Sequence, residues 1–258
     1  MRRIILAIIF CIFLVSYSHA YAGNLKDSID FTKNDRVLIL APHPDDEAIG
    51  ACGVIQRALE QNAKVRVVCY TNGDNNELAF IVYEKRLTFK KGEFLHMGEV
   101  RRRETMHAMV SLGVNPSDII FLGYPDFGTL EIFTKYWGNV KPYQGLLTRA
   151  SKVSYREAMS VGALYTGNNI LKDIEKIIAG FKPTKIFVSH PGDINRDHKS
   201  LYLFLQVALW DLEGKFQSPR VFPYIIHAAH WPVPRGYHPE LELKKPGSLA
   251  NSGIEWKN

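Results

Sequence analysis

The strongest constraint on the fold is a repeated alternation of short apolar runs with stretches of helical spacing between residues 36 and 189. Four runs have the length and apolar character of buried strands, at residues 36–41, 64–71, 118–122 and 184–189. Helical spacing occurs at residues 47–61, 100–112 and 169–181. Strands that alternate with helices form parallel sheets. The sequence therefore predicts an α/β fold with a doubly wound, Rossmann-like, mostly parallel sheet.

Two longer stretches interrupt this alternation. Residues 75–97 interleave aromatic with basic side chains, and residues 123–168 are rich in glycine, tyrosine and threonine without a clear period. Connections of this length inside a compact domain are usually lids or binding loops, so we expect long active-site loops. For the first stretch, an amphipathic excursion whose aromatic side chains pack on the core is an equal alternative.

The first 22 residues have the pattern of a secretory signal peptide. Met1-Arg2-Arg3 precedes an apolar run of about 12 residues, which is shorter than the roughly 20 needed to span a bilayer. Ala20-Tyr-Ala22 then resembles a cleavage site. We therefore expect residues 23–258 to form a single exported domain, periplasmic or extracellular, without a stable membrane span. An uncleaved membrane anchor is the alternative.

Charge and cysteine content argue against two other classes of protein. The net charge is +6, and removal of Arg2 and Arg3 lowers it to +4, an excess too mild to indicate nucleic-acid binding. Cys52 and Cys69 are the cysteines left after the leader. A disulfide between them is an open alternative, but both lie in apolar segments and fit small buried side chains more simply.

A histidine and three carboxylates follow the first predicted strand, in Ala41-Pro-His43-Pro-Asp-Asp-Glu47. Parallel sheets bind ligands at this end of their strands. The adjacent carboxylates of Asp45 and Asp46 repel each other, and a cation would remove that cost. Because His43 and Asp46 are three residues apart, the first turn of a helix would bring them to one side and leave Asp45 pointing elsewhere. Taken alone, the two aspartates are equally well explained as acids at a helix N-terminus.

A second cluster of histidine and aspartate, at residues 190–198, follows the fourth predicted strand. If the first and fourth strands are neighbours, both clusters face one cleft. His43, Asp46 and His198 would then hold a divalent metal with one position open, which is the arrangement of a catalytic zinc site. A metal ion acidifies water, so the adjacent Asp45 is the predicted general base.

Parts of the second cluster also have simpler explanations. His190 fits an ordinary loop histidine, and Asp197 fits a helix N-cap. Two such clusters, each placed directly after a strand, are harder to explain as caps alone.

The two clusters resemble the signatures of a known family of hydrolases. His43-Pro-Asp-Asp-Glu47 is similar to the first signature of the PIG-L/LmbE-like N-acetylglucosaminyl de-N-acetylases, and Pro42 stands within the usual Ala-His-Pro order. The second signature is similar to Asp193-x-Asn195-x-Asp197-His198. The connecting helix and loop of the family resemble Arg101-x-x-Glu104, Leu112-Gly113 and Leu122-Gly-Tyr-Pro-Asp126.

This resemblance covers about residues 36–204 and implies a role for individual side chains. It implies that zinc, or another divalent ion such as Fe²⁺, is bound by His43, Asp46 and His198. It also implies that Asp45 is the base and that the substrate pocket is lined by Arg101 and Asp126. The reaction implied is removal of an N-acetyl group.

One position departs from the family pattern. Many members have a histidine where this chain has Asn195, and that histidine is thought to steady the oxyanion or to protonate the leaving amine. An amide can donate a hydrogen bond but cannot deliver a proton. His227 or His230, after the apolar run at residues 221–226, would supply the proton; the alternative is an ordinary strand end and turn. Asn195 and His227 are therefore predicted catalytic residues.

Together these patterns predict a zinc-dependent hydrolase that removes an N-acetyl group from an N-acetylglucosamine-type sugar or glycoconjugate in the cell envelope. A metal-dependent amidase acting on another acyl amide is one rival. A metal- or carbohydrate-binding protein without turnover is a second, and the intact Asp45 argues against it. An iron oxygenase with two histidines and one carboxylate is a third, but its usual all-β setting contradicts the alternation of strands and helices.

Overall fold

The computed structural model describes residues 29–75, 91–238, 240–251, 253 and 256. The strands within these ranges are β1 Arg36–Ala41, β2 Lys64–Thr71, β3 Ile119–Tyr124, β4 Lys185–Ser189 and β5 Arg220–Tyr224. The helices are α1 Asp46–Glu60, α2 Lys91–Ser111, α3 Thr129–Lys135, α4 Gly167–Phe181 and α5 Arg196–Asp211, with short 3-10 turns at Pro116–Asp118 and Gly247–Leu249. The predicted signal peptide lies outside the described residues.

The five described strands form one parallel sheet in the order β3-β2-β1-β4-β5. The chain builds from β1 through β2 to β3 and then returns to the other side of β1 with β4. The prediction of a doubly wound α/β sheet is therefore confirmed. This reversal leaves a crevice beyond the carboxyl ends of β1 and β4, where folds of this kind bind ligands.

Each strand contributes side chains to two hydrophobic cores, one on each face of the sheet. Leu38 and Leu40 of β1 belong to a core closed by α3, α4 and α5, whereas Val37 and Ile39 belong to one closed by α1 and α2. Successive side chains of a strand point to opposite faces, so a strand covered on both sides is apolar at every position. This double burial fixes the sheet as the rigid support of the crevice.

Several connections differ from the sequence predictions. The stretch at residues 123–168, predicted as long loops, contains α3, and its Tyr155 and Tyr165 are buried in the core. Tyrosine side chains can be buried in the core here because their hydroxyl groups find hydrogen-bond partners. The Tyr155 hydroxyl, for example, donates to Asp74 at 2.6 Å. Of the stretch at residues 75–97, residues 76–90 lie outside the described part, and Phe94 is buried.

Cys52 and Cys69 are both free, so no disulfide joins them. Cys69 is fully buried in β2, as the simpler interpretation of a small apolar side chain expects. Within the described ranges, no helix combines the length and the apolar character that crossing a membrane requires.

Candidate metal centre

The two clusters of histidine and aspartate meet at the carboxyl edge of the sheet. The first fills the turn between β1 and α1, and the second fills the loop between β4 and α5 and the first turn of α5. Because β1 and β4 are hydrogen-bonded neighbours, both open onto the same crevice. The structure therefore brings the two predicted clusters together.

Three buried side chains form the centre of this site. Asp46 Oδ2 lies 3.1 Å from His43 Nδ1 and 3.1 Å from His198 Nε2. The backbone N–H of His43 donates to the same oxygen at 2.9 Å. One potential ligand atom from each residue lies within 4.8 Å of the others, so the three side chains can hold one ion. They are the residues that the sequence predicts as metal ligands, and we call them the metal group.

The electrostatics of the metal group favour a bound cation. Burial alone would raise the pKa of Asp46, but its contacts with His198 and His43 hold that pKa well below the usual range. Burial alone would lower the pKa of His43, but nearby carboxylates, that of Asp126 above all, raise it well above its usual value. A positive charge is stabilised where several carboxylates surround two imidazoles.

The nitrogen atoms of His198 test whether these residues fit a metal ion. Both are buried and neither makes a hydrogen bond of good geometry, although Nε2 lies 3.1 Å from Asp46 Oδ2 and Nδ1 lies 3.1 Å from Asp193 Oδ2. Buried polar atoms without a hydrogen bond are rare in proteins and commonly mark a missing water or ion. Two imidazoles and one carboxylate are also a donor set of catalytic zinc sites. The metal group therefore fits a divalent ion.

Carboxylates on the far side of each imidazole orient the rings. Asp126 Oδ1 lies 3.0 Å and Asp197 Oδ2 lies 3.3 Å from His43 Nε2. Asp193 Oδ2 lies 3.1 Å from His198 Nδ1. Contacts of this kind fix the tautomer and the ring direction of histidines that bind metals. Each histidine of the metal group thus has a supporting carboxylate.

A second trio, His43 with Asp126 and Asp197, is also close enough to hold an ion. Asp197, however, already accepts hydrogen bonds from the backbone N–H groups of Phe127 at 2.6 Å and Thr129 at 3.2 Å, and from the Thr129 hydroxyl. Its oxygens are therefore committed to protein donors. We interpret this trio as support for His43. Asp126, which the resemblance assigns to the substrate pocket, lies buried against that ring.

Asp45 stands beside the metal group without joining it. Its side chain is 58% exposed, whereas that of Asp46 is 2% exposed. Partial desolvation and the neighbouring Asp46 carboxylate raise the pKa of Asp45, and Arg101 opposes this increase. An accessible carboxylate next to a metal group, with a raised affinity for protons, suits a general base.

Arg101, which the resemblance also assigns to the substrate pocket, is buried and contacts two loops. Its Nη1 donates to the carbonyl of Gly73 at 3.0 Å. Its Nη2 donates to the carbonyl of Pro44 at 2.6 Å and to Asp45 Oδ2 at 3.2 Å. The guanidinium therefore ties the end of β1 to the end of β2.

The residues predicted to steady the oxyanion or to protonate the leaving amine lie at the rim of the metal group. Asn195 caps α5, because its Oδ1 accepts the N–H of Asp197 at 2.8 Å, and its Nδ2 is left as a hydrogen-bond donor. His227 is exposed, and its ring centroid lies 4.9 Å from that of His198. His230 lies in an exposed turn further along the chain. Of the two candidate histidines, His227 is the one in contact with the metal group.

Three acidic residues support the site in ways that the sequence did not predict. The sequence offered Asp197 as a helix N-cap, but the N-cap of α5 is Asn195. Asp193 and Asp197 face the two imidazoles, as described above. Glu47 is 1% exposed, and burial raises its pKa to about 7. The sequence signal for this loop is the placement of Asp193, Asn195 and Asp197 at alternate positions. Side chains of this kind often accept a hydrogen bond from the backbone N–H group two residues further on.

The model of the family described as PIG-L: GlcNAc-PI de-N-acetylase matches residues 38–209, which is more than half of the chain. The chain belongs to this family. The predicted family and the predicted enzyme class are thereby confirmed. Membership of the PIG-L family and the presence of the metal group together indicate that the chain is a metal-dependent de-N-acetylase, which is a hydrolase of amide C–N bonds.

Solved structures that resemble this PIG-L chain carry different names. N,N′-diacetylchitobiose deacetylase from Pyrococcus horikoshii matches at 19% identity and a TM-score of 0.49, over 82% of this chain and 69% of that one. The 4-carboxy-2-hydroxymuconate hydratase GalB from Pseudomonas putida KT2440 matches at 18% identity and 0.48, over 77% and 67%. A deacetylase of teicoplanin biosynthesis matches at 17% and 0.45, over 68% and 66%. A search of curated protein sequences gives no match.

Proposed function

We propose that this chain is an exported, zinc-dependent enzyme that hydrolyses the N-acetyl group of an N-acetylglucosamine-type sugar or glycoconjugate in the cell envelope. One observation carries the proposal: the buried group of His43, Asp46 and His198 has the accessible carboxylate of Asp45 beside it, in a chain of the PIG-L family. A divalent ion in this group supplies a Lewis acid for the amide carbonyl and lowers the pKa of water.

Three side chains around the metal group carry out the remaining steps of the proposed reaction. Asp45 accepts a proton from the water that attacks the amide carbon. Asn195 Nδ2 donates a hydrogen bond to the carbonyl oxygen as negative charge develops on it. His227, exposed at the rim, gives a proton to the nitrogen as the C–N bond breaks. Acetate and the free amine of the sugar are the products.

Two features support the substrate and its location. The family description names an N-acetylglucosamine conjugate, which supports an amino sugar as the group that carries the acetamide. Residues 1–22 have the pattern of a signal peptide, which supports an enzyme that meets its substrate outside the cytoplasm. A glycoconjugate or polysaccharide fragment fits both features better than a small cytosolic metabolite.

Acetate release from a panel of N-acetylated mono- and oligosaccharides tests the reaction. We expect release by zinc-loaded protein, none after chelation, and recovery when zinc or Fe²⁺ is returned. Hydrolysis of another acyl amide, with no acetate from any sugar, would favour the amidase rival. Binding of metal and sugar without any turnover would favour the binding protein.

Cell fractionation tests the location independently of the reaction. We expect the mature protein in the exported fraction, with an N-terminus near Gly23 when that fraction is sequenced. A protein that keeps residues 1–22 and stays in the membrane fraction would favour the uncleaved anchor.

A further inference from the structure

The turn after β3 contains an aromatic residue in a backbone conformation that few side chains tolerate. Phe127 follows Asp126 and has φ +59°. The backbone N–H of Gly128 donates to the carbonyl of Pro125 at 3.3 Å, which closes a four-residue turn with Phe127 in its third position. Where that position has positive φ, glycine or asparagine usually occupies it. A bulky residue in this conformation is strained.

The backbone of this turn has a reason for its conformation, but that reason does not require a phenyl ring. The N–H groups of Phe127 and Thr129 donate to the Asp197 carboxylate at 2.6 Å and 3.2 Å. That carboxylate supports His43, since its Oδ2 lies 3.3 Å from Nε2. Glycine would present the same N–H groups without strain. The contact with Asp197 therefore explains the backbone of the turn and leaves the side chain of Phe127 unexplained.

The ring of Phe127 does not stabilise the fold by burial. Phe127 is 50% exposed, whereas Leu122 and Tyr124 of the preceding strand are fully buried. Among the residues that the structure describes, Phe127 pairs with no other aromatic ring and belongs to none of the buried clusters. Strained residues cluster at functional sites, so contact with a ligand is the simplest reason for this ring.

Phe127 lies beside the metal group. Its N–H contacts Asp197, and Asp197 in turn contacts His43. The residue before it, Asp126, has its Oδ1 3.0 Å from the same nitrogen of His43. A substrate that brings an acetamide to the metal group therefore comes within reach of the exposed phenyl ring.

The phenyl ring adds an apolar surface to a site whose other groups are polar. Imidazoles, carboxylates, a guanidinium and the amide of Asn195 surround the metal group, as described above. A pyranose of the glucosamine type carries its hydroxyl groups around its edge and C–H groups on its faces. The face of an aromatic ring is electron-rich and attracts such C–H groups. A sugar can thus lie against Phe127 with its face while its edge meets the polar groups.

We propose that Phe127 is a substrate-binding residue whose ring packs against the C–H face of the pyranose that carries the acetamide, and that it selects closed sugar rings over open-chain amides. This inference rests on the proposed function, in which that sugar is the substrate. The contact contributes to binding and takes no part in the chemistry. Its loss should therefore raise KM and leave kcat unchanged.

Two substrates with the same acetamide and similar hydroxyl groups test the proposal. Methyl N-acetylglucosaminide is locked as a ring, and N-acetylglucosaminitol is its open-chain counterpart. Phe127→Asn removes the phenyl ring and keeps a residue that tolerates positive φ. KM for the glycoside should rise by roughly 10-fold, as expected for the loss of one aromatic contact, and KM for the open chain by less than about twofold. Neither kcat nor metal content should change.

Three variants serve as controls. Phe127→Tyr keeps the ring and should retain the wild-type KM for the glycoside. Lys182→Asn alters another residue of positive φ, 51°, at the end of α4 and the opposite edge of the sheet. Trp210→Ala removes a 71% exposed aromatic ring about three turns along α5 from His198. The last two should change KM for neither substrate.

Unfolding in urea distinguishes a ring that binds substrate from a ring that packs in the fold. Phe127→Asn relieves the strain of the turn, so its unfolding midpoint should equal or exceed that of the wild type. A lower midpoint would show that the phenyl ring stabilises the fold, and it would overturn the inference.

The inference and the proposed function fail in different ways. Equal rises in KM for the closed and open substrates, or no rise for either, would refute the role of Phe127 while acetate release continues. If the wild-type protein releases acetate from no amide, the proposed function fails. Saturation-transfer NMR with methyl glucosaminide then decides the role of Phe127. Transfer to the C–H protons of one sugar face that is lost in Phe127→Asn upholds it, whereas no transfer, or equal transfer in both proteins, refutes it.

Discussion

The loops that follow β1 and β4 supply the same metal group but are held in different ways. After β1, the strained Asp45, with φ 108°, is fixed by contacts from α2, a separate element. After β4, Asp193 Oδ1 accepts the N–H of Asn195 at 2.9 Å, and Asn195 Oδ1 accepts the N–H of Asp197 at 2.8 Å. This second loop is held by its own side chains and by the segment at and after the end of β5, to which the backbone N–H groups of His190 and Ile194 donate. The proposed base, Asp45, therefore lies on the loop supported by a helix, and His198, a proposed metal ligand, follows the loop that its own side chains help to hold.

The difference between the two loops matches the different requirements of a metal ligand and a general base. A metal ligand must keep one place, and hydrogen bonds within a loop provide that locally. A general base must stay accessible and yet be aimed, and an accessible side chain cannot be fixed by its own burial. Support from a neighbouring helix resolves this conflict.

Removing His198 is expected to have the largest effect, because it takes the second loop out of the metal group. Two ligands from the first loop are too few to hold an ion tightly. His198→Ala should purify with little metal by elemental analysis and release no measurable acetate. Trp210→Ala, at a 71% exposed position on the same helix, should keep its metal. Full zinc occupancy of His198→Ala would remove this residue from the ligand set.

Asp45→Asn should affect the first loop alone. The amide keeps the size of the side chain but cannot accept a proton, so acetate release should fall by about 10²–10⁴-fold. Metal content should stay at the wild-type level, in contrast to the His198 variant. A rate above about a third of wild type would make Asp45 structural.

His227→Gln should separate the two kinds of substrate. If His227 protonates the leaving amine, hydrolysis of the acetamide should fall by roughly 10²-fold, whereas an activated acetyl ester, whose leaving group needs no proton, should be spared. His230→Gln is the control and should change neither rate. Equal losses on ester and amide would leave protonated Asp45 as the acid, returning its proton to the amine.

Asp193→Asn should weaken metal binding without abolishing it. Loss of a carboxylate behind a metal-binding histidine typically lowers affinity by about 10–100-fold, which competition with a chromogenic chelator would measure. Asp118→Asn breaks an ion pair with Arg66 at the opposite edge of the sheet and should leave the affinity unchanged. Unaltered affinity in the Asp193 variant would mean that packing alone orients His198.

Asn195 should give the smallest effect, and a pair of substitutions separates its two roles. Asn195→Ala loses the helix cap and should lower the free energy of unfolding by about 0.5–2 kcal/mol, measured in urea. Asn195→Ser keeps a capping oxygen but lacks the amide donor, so it should restore stability without restoring the rate. Recovery of both by serine would argue against a role for the amide in catalysis.

The sheet and the metal group could be predicted because short local patterns encode both. Strands β1 and β2 are apolar on both faces, and their bounds agree with the prediction. His43 and Asp46 follow β1 directly, so the end of that strand fixes their place. His198 was recognised from its position after another strand.

Roles that depend on contacts between distant segments could not be predicted in the same way. Arg101 and Asp126 were assigned to the substrate pocket by resemblance, and the groups that they face became known only from the packing of α2 and the β3 loop. The strain at Asp45 has no local signature, since aspartate usually adopts negative φ values. Tyr155 looked like a loop residue because its buried partner, Asp74, is far away in the sequence.

Asp193 also determines how much of this chain can be cut away. Its Oδ2 accepts the backbone N–H groups of Ile226 at 3.1 Å and His227 at 2.8 Å, both beyond β5. A fragment that stopped at residue 209, where the family match ends, would keep all three residues of the metal group. It would also leave the Asp193 carboxylate without two donors and expose the edge of β4. The smallest excisable unit therefore reaches residue 227, and a chimera that borrows this metal group must take β5 with it.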